Sequence, residues 1–259
     1  PFYIENYNGV VKYAPTRKDF SLDINAISKT ITRKTKAIII NSPNNPTGKV
    51  YSRKNIADLA RMLKKLERIR KKPIYLISDE PYAEIVYDDV TVPSILKAYE
   101  NSIIAYSYSK TLSLPGERIG YIAVHPKIHD ADGLVNALIL CTRILGFVNA
   151  PALMQRIVAN LQNVTVDVAV YQRKRDLLCG GLSRAGYRYL KPEGAFYLFV
   201  KSPIPDDMAF VGELLKHNIL VVPGSGFGCP GYFRIAYCVD DQTIVNSLQG
   251  FAQALAECR

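Results

Sequence analysis

No stretch of about 18 consecutive apolar residues occurs anywhere in the chain, so no segment reads as a membrane-crossing helix and no membrane partner is expected. Cysteine is sparse. Cys141, Cys179, Cys229, Cys238 and Cys258 are odd in number, widely spaced and without a Cys-x-x-Cys pair. They are expected as free thiols in a reducing, cytoplasmic setting, not as a disulfide frame or a zinc site. Histidine is scarcer still, and His125, His129 and His217 share no metal-ligand spacing, so no metal is expected. The first residues, Pro1-Phe2-Tyr3-Ile4-Glu5-Asn6, include neither an initiator methionine nor a basic n-region. They read as neither a signal peptide nor a natural start. Internal repeats and low-complexity tracts are also missing.

What remains is an ordinary globular composition: 259 residues, 48% hydrophobic and 22% charged. That is enough chain for one large domain or two modest ones with a packed core. The net charge of +10 raises the question of nucleic acid. The densest basic run, Arg61–Lys72, answers it, because Leu59, Met62, Leu63, Leu66 and Ile69 recur through it at helical spacing. The basic residues then form the solvated face of an amphipathic helix, and no nucleic-acid module accompanies them, so no nucleic-acid partner is expected. A mild attraction for anionic substrates is the remaining inference.

Through the first half, apolar runs rich in β-formers alternate with helical patterns. Residues 36–40, 74–78, 103–107 and 119–124 read as strands, and Ser52 caps a helix ending near Lys72. A short helix is expected from about Ser94. This alternation implies an α/β layer with a mostly parallel sheet. From about Leu134 helices dominate, over 134–145, 150–164 and 167–185. Short strands follow at 187–190, 195–200, 219–222 and 233–236, with a helix over 206–217. Asp240 and Asp241 open a last helix. The division expected is a large α/β domain over 1–165 and a smaller α+β domain over 166–259.

In parallel sheets ligands gather beyond the carboxyl ends of strands. Asn45, Asp79 and Lys110 each fall just beyond such an end. Lys110 lies three residues after Ser107 and eight before Arg118, in Ser107-Tyr108-Ser109-Lys110-Thr111-Leu112-Ser113-Leu114-Pro115-Gly116-Glu117-Arg118. The spacing suits an amine that condenses with an aldehyde beside a phosphate site, the hydroxyl and the guanidinium holding the anion. A surface ion pair of Arg118 with Glu117 is the plainer alternative. Gly116 and Gly120 read as backbone-permissive positions around that anion. Two further runs stand out: Asn41-Ser42-Pro43-Asn44-Asn45-Pro46-Thr47-Gly48 and Ser78-Asp79-Glu80-Pro81-Tyr82.

These three runs, in this order, resemble the class I/II aminotransferases, which carry pyridoxal phosphate on a fold-type-I scaffold. The resemblance implies a Schiff-base role and proton transfer for Lys110. It puts Asp79 against the cofactor's pyridine nitrogen, where a carboxylate keeps the ring protonated as an electron sink. Tyr82 and Asn45 go to the phenolic oxygen, Asn45 also near the substrate carboxylate, and Ser107, Ser109 and Arg118 to the phosphate. Arg234, in Tyr232-Phe233-Arg234-Ile235-Ala236, resembles the arginine that grips the substrate α-carboxylate. Glu193-Gly194-Ala195-Phe196-Tyr197 matches a signature of the smaller domain and reads as structural. The implied activity is transfer of an α-amino group to a 2-oxo acid, with aspartate and 2-oxoglutarate as the default pair, by a homodimer. A carbon–sulfur β-lyase on the same scaffold, and the effector domain of a transcription regulator, stay open. Family members are expected to carry a further N-terminal stretch with a lid, a phosphate turn and a ring that stacks on the cofactor.

Overall fold

The computed structural model describes residues 1–258. After two short helices, α1 (Phe2–Glu5) and α2 (Ile24–Thr30), a four-stranded sheet is built from β1 (Ala37–Asn41), β2 (Tyr75–Asp79), β3 (Ser102–Ser107) and β4 (Gly120–Val124), in that spatial order. The first three strands are parallel and β4 is antiparallel to β3. The sheet is thus mostly parallel, with a reversed edge strand.

Between β1 and β2 runs α3 (Arg53–Arg70). The Ser52 side chain caps it by accepting from Asn55 N, and Lys71 ends it in a left-handed conformation at φ 56°. Its buried stripe, Ile56, Leu59, Ala60 and Leu63, packs against Ile40, Ile74, Leu76, Ile95 and Tyr99. Ile69 departs from the expected stripe and is 68% exposed, because the last turn runs past the core those residues form. The helix expected from Ser94 is only a turn over 95–98. Ile95 and Tyr99 are both buried there, and Tyr99 Oη donates to the Ile74 carbonyl at 3.0 Å.

Strand side chains alternate between faces. Ile40 and Leu76 turn toward α3, while Ile39 and Ile122 lie 53% and 50% exposed on the other face. Beyond β3 come α4 (Tyr108–Thr111), a 3₁₀ turn (Pro115–Glu117), α5 (Ala131–Ile144) and α6 (Ala152–Ala159). Helix α5 buries none of its residues. Helix α6 stops well short of the expected residue 164. Asn160 caps its end by donating from Nδ2 to the Arg156 carbonyl, and Asn163 turns left-handed at φ 69°.

The second sheet is antiparallel. It joins β5 (Arg188–Tyr189), β6 (Tyr197–Lys201), β8 (Tyr232–Ala236) and β7 (Val222–Pro223), in that order. Around it pack α7 (Val168–Ala185), α8 (Asp207–Lys216) and α9 (Asp241–Glu257). Asp167, Asp206 and Asp240 cap these three helices with their side chains. Leu182, Phe210, Leu214, Phe233 and Phe251 form the centre of this second core.

The two sheets are stitched together behind β2. Val86 bridges Gly194, Tyr87 N donates to the Glu193 carbonyl, and Ala195 N donates to that of Ile85. Next to this seam Arg175 of α7 is fully buried. It pairs with Asp88 at 2.7 and 3.0 Å and with Asp176 at 2.9 Å, donates to the Pro192 carbonyl, and lies 4.7 Å from the centre of the Tyr87 ring.

The hydrogen bonds from Arg175 hold the Asp88 carboxyl below its ordinary value of 3.8, while partial burial opposes the shift. The stabilisation is complete above that ordinary value and drains away as pH falls below it. The melting temperature of Asp88→Asn should therefore lie below wild type at about pH 6, with the gap closing toward about pH 3. A gap independent of pH would show that the Arg175–Asp88 pair does not set acid stability.

Candidate active site

The polar groups beyond the strand ends are joined in one continuous series of contacts. It starts at Asn41, the last residue of β1. Asn41 Nδ2 donates to the Asp79 carbonyl at 2.9 Å and to Asp79 Oδ2 at 3.1 Å, and Asn41 Oδ1 accepts from Asn45 N at 2.7 Å. The turn holding Asn45 is closed by Gly48 N donating to the Asn44 carbonyl at 2.8 Å. Gly48 sits at φ +67°, and a Cβ there would come within 2.4 Å of Pro192, so only glycine fits. Asn45 Oδ1 accepts from Arg234 Nη1 at 2.9 Å. The Arg234 guanidinium, presented by β8, lies 4.5 Å from the centre of the Tyr197 ring and 4.9 Å from that of Phe227. Tyr197 Oη meets Tyr82 Oη at 3.0 Å, and Tyr82 stands edge-on to Phe196. Lys110 Nζ completes the series, 5.6 Å from the centre of the Phe196 ring.

Three groups in this series lack matching partners. Asp79 stands at the open mouth of the strand ends, yet the protein around its carboxylate pushes its pKa above the usual range, against the Asn41 hydrogen bond. It enters no ion pair among the described residues. Lys110 likewise forms no ion pair among the described residues. Arg234 Nε is buried without a hydrogen-bond acceptor. Burial also lifts the Tyr82 hydroxyl far above its usual value, helped by the Tyr197 contact. Tyr82 therefore stays a neutral hydroxyl, with a proton it can donate and lone pairs that can accept.

The remaining site residues predicted from the sequence sit one step away. Ser107 Oγ caps α4 by accepting from Ser109 N at 3.2 Å, and it donates to Ser109 Oγ at 2.8 Å, one residue before Lys110. Arg118 is left-handed at φ 49°, exposed, and donates from Nη1 to the Pro115 carbonyl at 2.7 Å. Its side chain meets neither Ser107 nor Ser109, and it does not pair with Glu117. The backbone nonetheless returns to the same place, with Tyr108 N donating to the Ile119 carbonyl and Gly120 registered opposite Ser107.

A family model described as aminotransferase class I and II matches residues 3–251. The chain belongs to that family. Among relatives of this chain, the probable aspartate/prephenate aminotransferase of Thermus aquaticus is 32% identical over 98% of this chain and 66% of its own length. The probable aspartate aminotransferase of Methanocaldococcus jannaschii is also 32% identical, over 93% of this chain and 64% of its own length. The crystal structure of an amino transferase from Eubacterium rectale superposes with a TM-score of 0.95 at 42% identity, covering 98% of this chain and 64% of that one. The aspartate aminotransferase of Thermus thermophilus with maleate gives 0.77 at 28% identity, over 95% and 64%. The chain thus spans about two thirds of the length of the relatives it matches. Its α/β architecture is that of the fold-type-I enzymes.

Four residues of the series, Asn41, Phe196, Tyr197 and Phe227, were not singled out by sequence reasoning. Asn41 carried a visible signal, a polar residue closing an apolar run. Phe196 and Tyr197 lay in a signature read as structural, and they prove to touch Lys110, Tyr82 and Arg234. The two glycines after Lys110 separate. A Cβ on Gly120 would lie 2.3 Å from the Tyr106 carbonyl oxygen, so β3–β4 pairing demands glycine there. Nothing surrounds Gly116, which is not required for the backbone path.

Asn41 supplies the hydrogen bond that restrains the Asp79 pKa. Asn41→Ala should therefore raise that pKa further, read from the pH titration of the Asp79 carboxyl carbon by NMR. A downward shift or none would remove Asn41 from the electrostatics of the site.

Proposed function

We propose that this chain carries the reactive centre of an enzyme that moves the α-amino group of an amino acid, aspartate foremost, to a 2-oxo acid, with pyridoxal phosphate as cofactor. The observation carrying this reading is the set of unmatched groups gathered in one place: the amine of Lys110, the carboxylate of Asp79 and the buried Nε of Arg234. Each complements one part of cofactor or substrate: an aldehyde for the amine, a ring N–H for the carboxylate, a carboxylate for the guanidinium. When bound, pyridoxal phosphate supplies a carbonyl carbon that takes up amines and a protonated ring that draws electrons from the adjoining carbon.

The side chains do the rest. Asp79 would hold the ring nitrogen in its protonated form, since a cation beside a carboxylate with a raised pKa favours its ionised state. Tyr82 and Asn45 would donate to the phenolic oxygen. Ser107 and Ser109 offer adjacent hydroxyls to the phosphate, and Arg118 would exchange the neutral Pro115 carbonyl for charged phosphate oxygens, a stronger acceptor. Lys110, unpaired, would take the proton from the substrate Cα and return it. Arg234 presents a planar fork to the substrate carboxylate, and the rings of Tyr197 and Phe227 hold that plane and keep water from it.

Two further parts of the reading concern setting. We place the protein as a homodimer, supported by Ile139, Leu140 and Ile144, which leave α5 with an exposed apolar face of the kind subunit interfaces cover. A cytoplasmic location is supported by five unpaired cysteines. No helix among the described residues is long and apolar enough to cross a membrane.

With the full-length protein and saturating cofactor, aspartate and 2-oxoglutarate should yield oxaloacetate and glutamate. Borohydride reduction of the loaded protein should leave the pyridoxyl group on Lys110, as read by peptide mass spectrometry. A label on another lysine would end the assignment, and pyruvate and ammonia released from cystathionine without any oxo acid would indicate a lyase instead. Arg234→Ala should cost about 2–5 kcal/mol in kcat/KM, because a substrate carboxylate loses its charged partner, while the cofactor stays bound. Equal kcat/KM for every donor would show that Arg234 does not grip substrate.

A further inference from the structure

The turn carrying Asn45 is held at two ends by different parts of the molecule. Its near end belongs to the first sheet, where Asn41 links Asn45 to Asp79. Its far end is gripped by one carboxylate. Glu193 Oε1 pairs with Lys49 Nζ at 2.7 Å, and Glu193 Oε2 accepts from Val50 N at 2.9 Å. The backbone of the same segment reinforces the grip, with Glu193 N and Gly194 N donating to the Gly48 carbonyl at 2.9 and 3.0 Å. Val50 is buried, so its N–H has no ready substitute acceptor in water.

Glu193 also stands where three site-bearing stretches meet. Its carbonyl accepts from Tyr87 N, on the segment that continues from Tyr82. A Cβ on the next residue, Gly194, would lie 2.8 Å from the Ile85 carbonyl oxygen and 2.8 Å from Pro43, so the backbones here are in direct contact. Three and four residues on, Phe196 faces Lys110 and Tyr197 lies against Arg234.

We propose that Glu193 is a positioning residue that keeps Arg234 in register with Asn45, while leaving Asn45 in register with Asp79 to Asn41. It deepens the reading of Arg234 and Asn45 as the groups that receive the substrate carboxylate, and rests on it. Removing the carboxylate loosens the far end of the turn, which then keeps only the backbone bonds to the Gly48 carbonyl, and leaves the near end tied to the first sheet. The consequence is selective: carboxylate binding suffers and cofactor binding does not. Gln at this position keeps an oxygen for the Val50 N–H and should preserve most of the effect.

Amide hydrogen exchange on the protein without ligand tests the placement directly. In Glu193→Ala, the amides of Gly48, Val50 and Gly194 should exchange about tenfold faster or more, the scale of one lost hydrogen bond. Those of β2 and β3 should be unchanged, and Glu193→Gln should track wild type. In the protein loaded with pyridoxal phosphate, Glu193→Ala should bind maleate about tenfold more weakly by calorimetry, with cofactor affinity within about twofold. Faster exchange throughout both sheets, none around Val50, or equal losses of maleate and cofactor would overturn the proposal. If wild-type protein takes up no maleate, the reading of Arg234 fails separately, and the exchange pattern alone decides the role of Glu193.

Discussion

A guanidinium with no solvent-exposed surface must find its partners inside the protein, and Arg175 finds them on its own helix and on two distant stretches. Asp88 follows β2, Asp176 is its neighbour in α7, and the Pro192 carbonyl opens the segment that leads to Phe196 and Tyr197. Separating these stretches would strand a buried cation. Breaking such a pair costs about 3–5 kcal/mol, toward the lower figure here because both carboxylates are about half exposed and screened by water. The two sheets therefore cannot slide freely at their seam. Every contact between Arg234 and Asn45, or between Tyr197 and Tyr82, presupposes that seam.

Against this saturated framework, the site is conspicuous for what it leaves unmatched. Aromatic rings flank Arg234 and Lys110, the neutral Asn45 amide oxygen and not a carboxylate accepts from Arg234, and an amide, not a cation, restrains Asp79. Rings supply shape and a favourable quadrupole without neutralising the charge. Polar groups held in this way keep their capacity for a ligand, at some cost to the stability of the unliganded chain.

The sequence revealed the parts of this arrangement that depend on short range. The caps of α3 and α9 are written in Ser52 and Asp240, and the strand ends in the polar residues that follow apolar runs. The α/β class followed from the alternation of strands and helices. The direction of β4 did not, because an apolar run reads the same whether its strand runs parallel or antiparallel. Ile69 kept the helical period yet lies beyond the core, since periodicity marks a face and not how far the partner surface extends. The engagement of Arg118 with Pro115, where its register pointed to Ser107, is set by a left-handed backbone that no neighbouring residue announces. Phe196 and Tyr197 were visible as a signature, but their meaning lies in partners far away in the chain.

That distance has a consequence for how the molecule assembles. The contacts that close the site join residues 38, 115 and 189 positions apart, at Asn41–Asp79, Tyr82–Tyr197 and Asn45–Arg234. Each requires a long loop to close before any reward is gained, and the penalty rises with the length enclosed. Helices such as α3 and α7 can form from neighbours alone; the constellation around Arg234 waits until both sheets stand and have met. Because loop closure carries this entropic penalty, the proposed reactive centre is expected to form late, after both sheets have met.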